Sequence, residues 1–361
     1  MLDKITENSG LSAVVMNNYN QLNKTEINFD FMLNEEPSLK LREYLERNGS
    51  KIFLMPSLKM KNFAKYILAL HNFYGTQNYP IVHGHVAITA LFYLGLSPKG
   101  TIRVIHSQNA GGPVNKIKRF RNKILTSLIN YVSDARLACS KEAAVFLFGK
   151  NNDATIMANP INPKSFEFNA RLRQQVRSKY KISDDIKVIG HIGRFCREKN
   201  HIFILDVFDK YCKIDANAIL MLVGDGELFM QIKTEVQKRG ISDKIVFTGK
   251  VESINGYLSA MDVFVMPSFS EGLPLAAIEA QTNGLPIILS KAIPKETDVA
   301  GCAKFIALDV QQWVNTIMAV QVLDRCNRKC KVEGSKFDAK LQTDMLVNYY
   351  KNLLGIHKNE M

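Results

Sequence analysis

The chain has 361 residues, of which 46% are hydrophobic and 22% are charged; these are values of a folded globular protein, and they exclude a disordered chain. The length suits about two domains, and no stretch reaches the ~18 continuous apolar residues of a membrane-spanning helix. Lys and Arg (47) exceed Asp and Glu (34) by 13, which indicates an anionic partner: nucleic acid, a membrane surface or a phosphorylated substrate.

The six cysteines are scattered and lack the spacing of a zinc site, so we expect reduced thiols and no metal site. The first ten residues include acidic side chains and no apolar signal core, which argues against a secretory signal. Together these features predict a cytoplasmic protein.

Short β-branched runs alternate with amphipathic stretches along the whole chain. The predicted strands are Lys51–Met55, Ile81–His85, Ile102–Ser107, Ala135–Ser140, Lys187–Gly193, Ile219–Gly224, Lys244–Gly249, Val263–Ser268 and Pro286–Ser290. Predicted helices include Phe63–Phe73, Ile117–Val132 and Ile202–Cys212. This alternation predicts an α/β fold of two doubly wound domains with parallel sheets, and a ligand cleft between the carboxyl ends of their strands.

The segment 158–163 holds two prolines, and a fresh series of strands and helices begins after it. We therefore expect an N-terminal domain over residues 1–157 and a second domain over 158–337. A closing helix over 338–355 is expected to pack back on the first domain. Residues 1–165 carry 20 basic and 11 acidic side chains, a net charge of +9, so the basic excess lies mainly in the first half.

The strongest motif follows the predicted strand Val263–Ser268. Glu271 and Glu279 stand eight residues apart around a turn in which Pro274 suits the first turn of a helix, and a helix start offers backbone N–H groups to an anion. Eight helical residues span roughly 12 Å, which is too far for paired acid–base work and suits gripping two ends of an extended ligand. An ordinary helix with two solvated glutamates is the alternative.

A second motif follows the predicted strand that ends at Gly193. Arg194 and Lys199 flank the strand-to-helix turn, where Arg can hold phosphate oxygens bidentately and Lys supplies a point charge. Either side chain would stabilise negative charge on a departing phosphate. The alternative is a solvated basic turn.

Several motifs from residue 187 to 290 follow one another in a fixed order. They are Gly193-Arg194 with Lys199-Asn200, Leu222–Glu227, Phe247–Gly249, Ala260–Ser268, and Glu271–Pro274 with Glu279-Ala280 and Gly284–Pro286. In this order and spacing the chain resembles the family-4 retaining glycosyltransferases of the GT-B fold, in particular bacterial capsule and exopolysaccharide enzymes. The resemblance runs over nearly the whole chain and implies two Rossmann-like domains facing a central cleft.

The resemblance implies a role for each matching residue. Glu271 would contact the sugar hydroxyls of a nucleotide-sugar donor, Glu279 the ribose hydroxyls, and Arg194 and Lys199 the diphosphate leaving group. The other donor-binding positions implied are Gly10, Gly193, Val251 against the base, and the turn residues Gly272, Leu273, Pro274 and Leu275.

His106 ends a predicted strand and matches a family histidine near the transferred sugar. The alternative is a structural histidine whose hydrogen bonds are satisfied within the protein. The resemblance implies retaining transfer, in which the acceptor hydroxyl attacks from the face that the diphosphate leaves. No Asp-x-Asp motif is present, so we expect no metal and no other cofactor.

Two basic stretches are candidates for a membrane surface. Lys116–Lys123 carries its apolar residues on one helical face, and Lys59, Lys61 and Lys65 form a second patch. Core-facing stripes with solvated basic rims are the alternative. The resemblance favours the membrane, because its acceptors are lipid-linked, and implies a peripheral protein on the inner face of the plasma membrane. We expect no nucleic-acid partner, since no aromatic-basic module accompanies the charge.

The chain departs from the family at its start. Family members begin with an apolar strand followed by a Gly-Gly turn, whereas here Asn8-Ser9-Gly10 forms the turn and the preceding residues lack a convincing strand. We therefore expect the first strand to be missing. Two explanations stay open: the true start lies upstream, or the protein is a degenerate member of the family.

The predicted function is transfer of a hexose or N-acetylhexosamine from a nucleotide-sugar, expected to be a UDP-sugar, to a lipid-linked oligosaccharide in capsule or exopolysaccharide synthesis. The alternative is a non-catalytic or truncated GT-B-like protein that binds a membrane or a partner transferase.

Overall fold

The computed structural model describes residues 2, 4–5, 10–85, 87–108, 127–320, 325 and 332–356. The chain divides into two compact units, one made of the segment up to Pro160 together with the segment from Ala339 onward, the other Ile161–Asp338. The division falls inside the proline-containing segment, at 160/161 rather than 157/158. No helix in the described ranges has the length and apolarity to cross a membrane.

The strands, in chain order, are β1 (Phe31–Leu33), β2 (Ile52–Leu54), β3 (Ile81–Gly84), β4 (Ile102–Ser107), β5 (Ala135–Ala138), β6 (Thr155–Ile156), β7 (Lys187–Ile192), β8 (Ala218–Val223), β9 (Ile245–Gly249), β10 (Val263–Met266), β11 (Ile287–Ser290) and β12 (Ala303–Ile306). All nine predicted strands are present. The sequence pattern missed the short strands β1, β6 and β12.

The α-helices are α1 (Gly10–Gln21), α2 (Leu39–Arg47), α3 (Phe63–Thr76), α4 (Ala87–Tyr93), α5 (Lys141–Phe148), α6 (Ala170–Lys179), α7 (His201–Cys212), α8 (Phe229–Lys238), α9 (Asn255–Ala260), α10 (Leu275–Thr282), α11 (Val310–Met318) and α12 (Ala339–Leu353). Two of the three predicted helices correspond to α3 and α7. The third, with the basic stretch Lys116–Lys123, lies largely outside the described residues.

The second unit contains one parallel sheet of six strands in the order β12-β11-β10-β7-β8-β9. Strands β8 and β10 are apolar at every position, because helices cover both faces of the sheet. In β10, Val263 and Val265 belong to the core on one face, whereas Phe264 and Met266 belong to the core on the other.

A buried ionic group positions the start of β10. The Asp262 carboxylate accepts hydrogen bonds from Arg173 at 2.8 Å, from Arg177 at 2.7 Å and from the backbone N–H of Val188 at 2.8 Å. Because Asp262 and Arg177 are almost fully buried, each charge needs the other. This group ties α6 to the edge at which β7 and β10 begin.

The first unit contains two separate parallel sheets, β1-β2 and β3-β4-β5-β6. Helix α12 packs within this unit, where Thr343 hydrogen-bonds to Asn18 of α1 at 3.1 Å and Leu346 and Tyr350 join the core beneath β4 and β5. The described residues contain no strand before β1. Leu2 makes a single parallel bridge to Leu33, and Asn8 and Ser9 lie outside the described residues.

Candidate functional site

The predicted site residues of the second unit follow two strands that are neighbours in the sheet. From β7 the chain continues to β8 and β9 on one side, whereas β10 continues to β11 and β12 on the other. The sheet order therefore reverses between β7 and β10, and in open parallel sheets ligands bind at the carboxyl ends of such strands. The Arg194–Lys199 turn and the Glu271–Glu279 segment both begin there.

Backbone contacts hold these two turns together. The N–H of Phe269 donates to the carbonyl of Glu198 at 2.8 Å, and the Asn200 side chain donates to the carbonyl of Pro267 at 3.2 Å. Asn200 lies in the left-handed region (φ 55°), which its short polar side chain tolerates, and it leads directly into α7. The geometry of one turn is thus set by the other.

The same contact brings Lys199 and Glu271 together. The Lys199 Nζ lies 2.6 Å from Glu271 Oε1, and their side chains are only 18% and 12% exposed. Sequence reasoning assigned these residues to different parts of a donor and did not foresee a direct pair. The pair keeps one cation and one carboxylate in fixed positions, each with hydrogen-bonding capacity left for a ligand.

Arg194 has a different setting. Its guanidinium pairs with Glu227 at 3.0 Å, and both side chains are exposed, at 71% and 53%. An exposed pair of this kind contributes little stability. Arg194 can therefore leave Glu227 for a bound anion at low cost, whereas Lys199 is already held in place.

Glycines allow the turns after β7 and β8 to touch through their backbones. Gly224 has φ +135°, and a Cβ there would lie 2.1 Å from the carbonyl oxygen of Gly193; a Cβ on Gly226 would lie 2.5 Å from that of Phe195. Gly193 itself donates its N–H to Val223 at 3.0 Å. The sequence signal for this contact was the Gly-x-Gly after β8, which Sequence analysis includes only within the motif Leu222–Glu227.

Helix α10 begins next to the ion pair. It starts at Leu275, so the expectation that Pro274 forms its first turn is wrong by one position: Pro274 stands at the N-cap with ψ 100°. No side chain caps this end of the helix. Since the first N–H groups of a helix have no partner within it, the turn of Gly272, Leu273 and Pro274 leads into backbone donors beside Lys199.

Glu279 lies in the middle of α10 among Ala276, Ile278 and Ala280. The described residues give its carboxylate no ion-pair partner, and burial raises the pKa of the Glu279 carboxyl from 4.5 to about 7. A carboxyl group in such a place is unusual without a ligand. Val251, the other predicted donor contact, follows β9 and packs half-buried against the core that contains Phe264 and Met266.

The first unit holds the other two predicted residues. Gly10 begins α1, and a Cβ there would meet open space, so the structure shows no steric need for glycine. His106, at the end of β4, is buried and hydrogen-bonded to the backbone of Met157; burial lowers the pKa of its imidazole to about 3, which leaves it neutral. A direct role for His106 stays a prediction.

His106 belongs to a cluster that sequence reasoning did not assemble. Its ring lies 5.4 Å from that of His83 and 5.3 Å from that of His85. Within the described ranges this is the one group whose ligand atoms, all within 4.8 Å of one another, could hold a metal ion. Three nitrogens bound to one zinc ion at 2.0–2.1 Å would lie about 3.4 Å from one another. Nitrogens separated by 4.8 Å would therefore have to move closer together to bind the same ion.

Comparison with known proteins agrees with this architecture. Residues 173–314 match the family described as glycosyl transferases group 1. The Bacillus subtilis protein named as glycosyltransferase EpsF is 29% identical, over 94% of this chain and 93% of its own length. The UDP-Gal:alpha-D-GlcNAc-diphosphoundecaprenol alpha-1,3-galactosyltransferase of Escherichia coli is 25% identical, over 90% of this chain and 88% of its own.

Among solved structures, Anabaena HepE in complex with UDP and glucose has the same fold, with a TM-score of 0.77 at 12% identity over 97% of this chain and 98% of its own. The chain has the GT-B fold, as predicted, with parallel sheets in both units. Residues 173–314 therefore form a domain of the glycosyl transferases group 1 type, and this segment contains the Lys199–Glu271 pair and Glu279.

Proposed function

We propose that the protein is a retaining enzyme that transfers a hexose or N-acetylhexosamine from a UDP-sugar to a lipid-linked saccharide during capsule or exopolysaccharide synthesis. The observation that carries the proposal is the Lys199–Glu271 pair at the start of α10, between the ends of β7 and β10. The UDP bound to HepE and the UDP-Gal donor named for the E. coli relative support the choice of donor.

In this proposal the two charges of the pair act on different parts of the donor. Lys199, joined by the exposed Arg194, stabilises the diphosphate, while Glu271 accepts hydrogen bonds from sugar hydroxyls. The bond between the anomeric carbon and the diphosphate oxygen breaks as the acceptor oxygen bonds to the same carbon from the same face. The acceptor proton passes to a donor phosphate oxygen, so charge developing on the diphosphate is balanced by Lys199, Arg194 and the α10 amides.

Glu279 is assigned to the ribose. Ribose hydroxyls that donate to its carboxylate favour the ionised form and reverse the effect of burial on its pKa. Binding of UDP near pH 6.5 should therefore release protons from the wild-type protein. Calorimetric titration with UDP in two buffers of different ionisation enthalpy measures this release, and Glu279→Gln should abolish it; an equal release in both proteins contradicts the assignment.

The lipid-linked acceptor places the enzyme at a membrane. Lys59, Lys61 and Lys65 are exposed, and α3 also exposes Phe63 (46%) and Leu68 (62%). Lys65 and Leu68 share one face of α3, while Lys59 and Lys61 precede the helix; apolar side chains rimmed by lysines suit an anionic bilayer surface. We place the protein at the inner, cytoplasmic face of the plasma membrane as a peripheral enzyme.

Sedimentation with vesicles tests this placement. Vesicles of phosphatidylglycerol should bind the wild type more than vesicles of phosphatidylcholine, and replacement of the three lysines by Glu should weaken that binding. Replacement of Lys210, Lys213 and Lys238 by Glu, in the second unit, is the charge-matched control. Equal binding by both triple variants would contradict a membrane-binding role for Lys59, Lys61 and Lys65.

The proposed transfer needs no metal, since Lys199, Arg194 and helix amides supply the positive field. Excess EDTA should leave the rate unchanged. If EDTA abolishes transfer and Mg²⁺ or Mn²⁺ restores it, metal independence is contradicted. The cluster of His83, His85 and His106 would then be the first candidate for the metal site.

The main experiment measures hydrolysis and transfer by the purified protein with a panel of UDP- and GDP-sugars. One UDP-sugar should be consumed, and Glu271→Ala should reduce its turnover by at least about 10²-fold. Glu296→Ala, an exposed carboxylate elsewhere in the same unit, is the control and should retain wild-type turnover. No consumption of any sugar would favour the non-catalytic alternative.

A further inference from the structure

Three histidines of the first unit lie together on one face of the sheet β3-β4-β5-β6. His83 belongs to β3 and His85 follows that strand directly, and residues two positions apart along a strand point to the same face. The register of the two strands aligns His83 with Val104, which brings His85 beside His106 of β4. A His-x-His pair on one strand and a third histidine on the next strand therefore form one patch.

The rings in this patch are close enough to share a ligand. The ring centroids of His83 and His85 are 4.4 Å apart, and the possible ligand atoms of all three histidines lie within 4.8 Å of one another. The rings of His83 and His85 are nearly parallel, at 19°, so their nitrogens converge on one point only after a ring turns. Rotation of a histidine ring about χ2 meets a broad, shallow energy profile, so this adjustment is accessible.

Hydrogen bonds hold one nitrogen of two of these rings. His83 Nδ1 hydrogen-bonds to the hydroxyl of Tyr350 in α12. His106 hydrogen-bonds to the backbone of Met157, while its Nε2 is buried without a hydrogen-bond partner among the described residues, as is Nδ1 of His85. Histidines that bind a metal are held in the same way, through a hydrogen bond from the second ring nitrogen to an oxygen.

The charge state of the patch also suits a metal ion. Burial lowers the pKa of all three imidazoles, and a neutral imidazole is the form that binds metals. Buried ring nitrogens without a partner, such as those of His85 and His106, are rare in folded proteins, and a bound ion would satisfy both. Imidazole nitrogens suit zinc, and three of them leave a fourth tetrahedral position for water.

We propose that His83, His85 and His106 bind one Zn²⁺ ion through Nε2 of His83 and His106 and Nδ1 of His85, with water as the fourth ligand. The ion links the end of β3 to the end of β4 and, through the hydroxyl of Tyr350, links α12 to the sheet. The transfer reaction proposed above takes its positive charge from Lys199 and Arg194, so this inference rests on none of its steps.

Zinc binding is measured on the full chain after treatment with EDTA and desalting. Titration with Zn²⁺ against a chelating indicator should show one bound equivalent. Zn²⁺ at about a hundredfold above its dissociation constant should raise the melting temperature of the first unit by about 5 °C or more. Co²⁺ in place of Zn²⁺ should give the visible bands of a four-coordinate site without a thiolate charge-transfer band, which distinguishes the histidines from the cysteines.

Substitutions locate the ion. His85→Asn and His106→Asn should each weaken Zn²⁺ binding by at least about tenfold, whereas His71→Ala, an exposed histidine on α3, is the control and should bind as the wild type does. Tyr350→Phe keeps the ring and removes the hydroxyl, so it should keep its circular dichroism spectrum and bind about tenfold more weakly.

Three results would overturn the proposal. They are failure of the wild type to compete with the indicator for Zn²⁺, a thiolate band in the Co²⁺ spectrum, and wild-type affinity in His85→Asn. If His85→Asn does not fold by circular dichroism, wild-type affinity in Tyr350→Phe decides against the proposal instead. Neither donor nor acceptor is used, so failure here is separate from failure of the proposed transfer.

Discussion

The Lys199–Glu271 pair can be tested for its structural and its chemical role at once. At 2.6 Å and an effective dielectric constant of ~20, the attraction is about 6 kcal/mol. Burial of both groups opposes most of it, by several kcal/mol, so we expect a net coupling of about 1–2 kcal/mol. Lys199→Met and Glu271→Gln should each destabilise the protein by more than half of what the double variant loses.

Urea denaturation of the wild type, both single variants and the double variant measures the coupling. The Arg194→Met and Glu227→Gln cycle is the control, because that pair is exposed and should couple by about 0.5 kcal/mol or less. Donor turnover should fall by about 10²-fold or more in each Lys199 and Glu271 variant, and should stay low in the double variant. Additive stabilities, or turnover recovered in the double variant, would refute the reasoning.

Other substitutions test the surrounding structure. Asp262→Asn should lower the free energy of unfolding by about 3–5 kcal/mol, since it leaves the buried Arg177 charge uncompensated; urea denaturation measures the loss, and a change below about 1 kcal/mol contradicts it. Gly224→Ala should cost several kcal/mol because a Cβ would lie 2.1 Å from a backbone carbonyl, whereas Gly240→Ala, with open space around its Cβ, should cost only about 1 kcal/mol; equal melting temperatures would be evidence against the contact. Glu279 is protonated in the folded protein up to about pH 7, while the unfolded chain loses that proton near 4.5, so its effect on stability becomes less favourable as the pH rises through this window. Glu279→Gln should therefore match the wild type at pH 4 and exceed its stability at pH 8 by about 1–3 kcal/mol; the same difference at both pH values would show that the carboxyl group does not titrate as inferred.

The framework of the second unit was predictable from its amino-acid sequence. Strands buried on both faces are mostly apolar, so β8 and β10 could be predicted from continuous apolar runs. The ordered motifs after them placed Arg194, Lys199 and Glu271 at strand ends. Since carboxyl ends of parallel strands share one edge, the general location of a site followed from local pattern alone.

Only the tertiary structure decided which of those side chains touch. Lys199 and Glu271 are 72 positions apart, and their contact depends on β7 and β10 being neighbours, which no local periodicity encodes. The same holds for Asp262 with its two arginines and for the raised pKa of Glu279, because burial is a property of the assembled core. Short strands such as β1 are defined by their partners rather than by their own residues.

The first unit best separates what the sequence pattern predicts from what depends on tertiary packing. The residues before Gly10 lack the pattern of a strand, and that much was visible in the sequence. The division into the sheets β1-β2 and β3-β4-β5-β6 was not, because strand pairing depends on the assembled tertiary structure. Sequence determines which segments can be strands, and packing decides which of them pair.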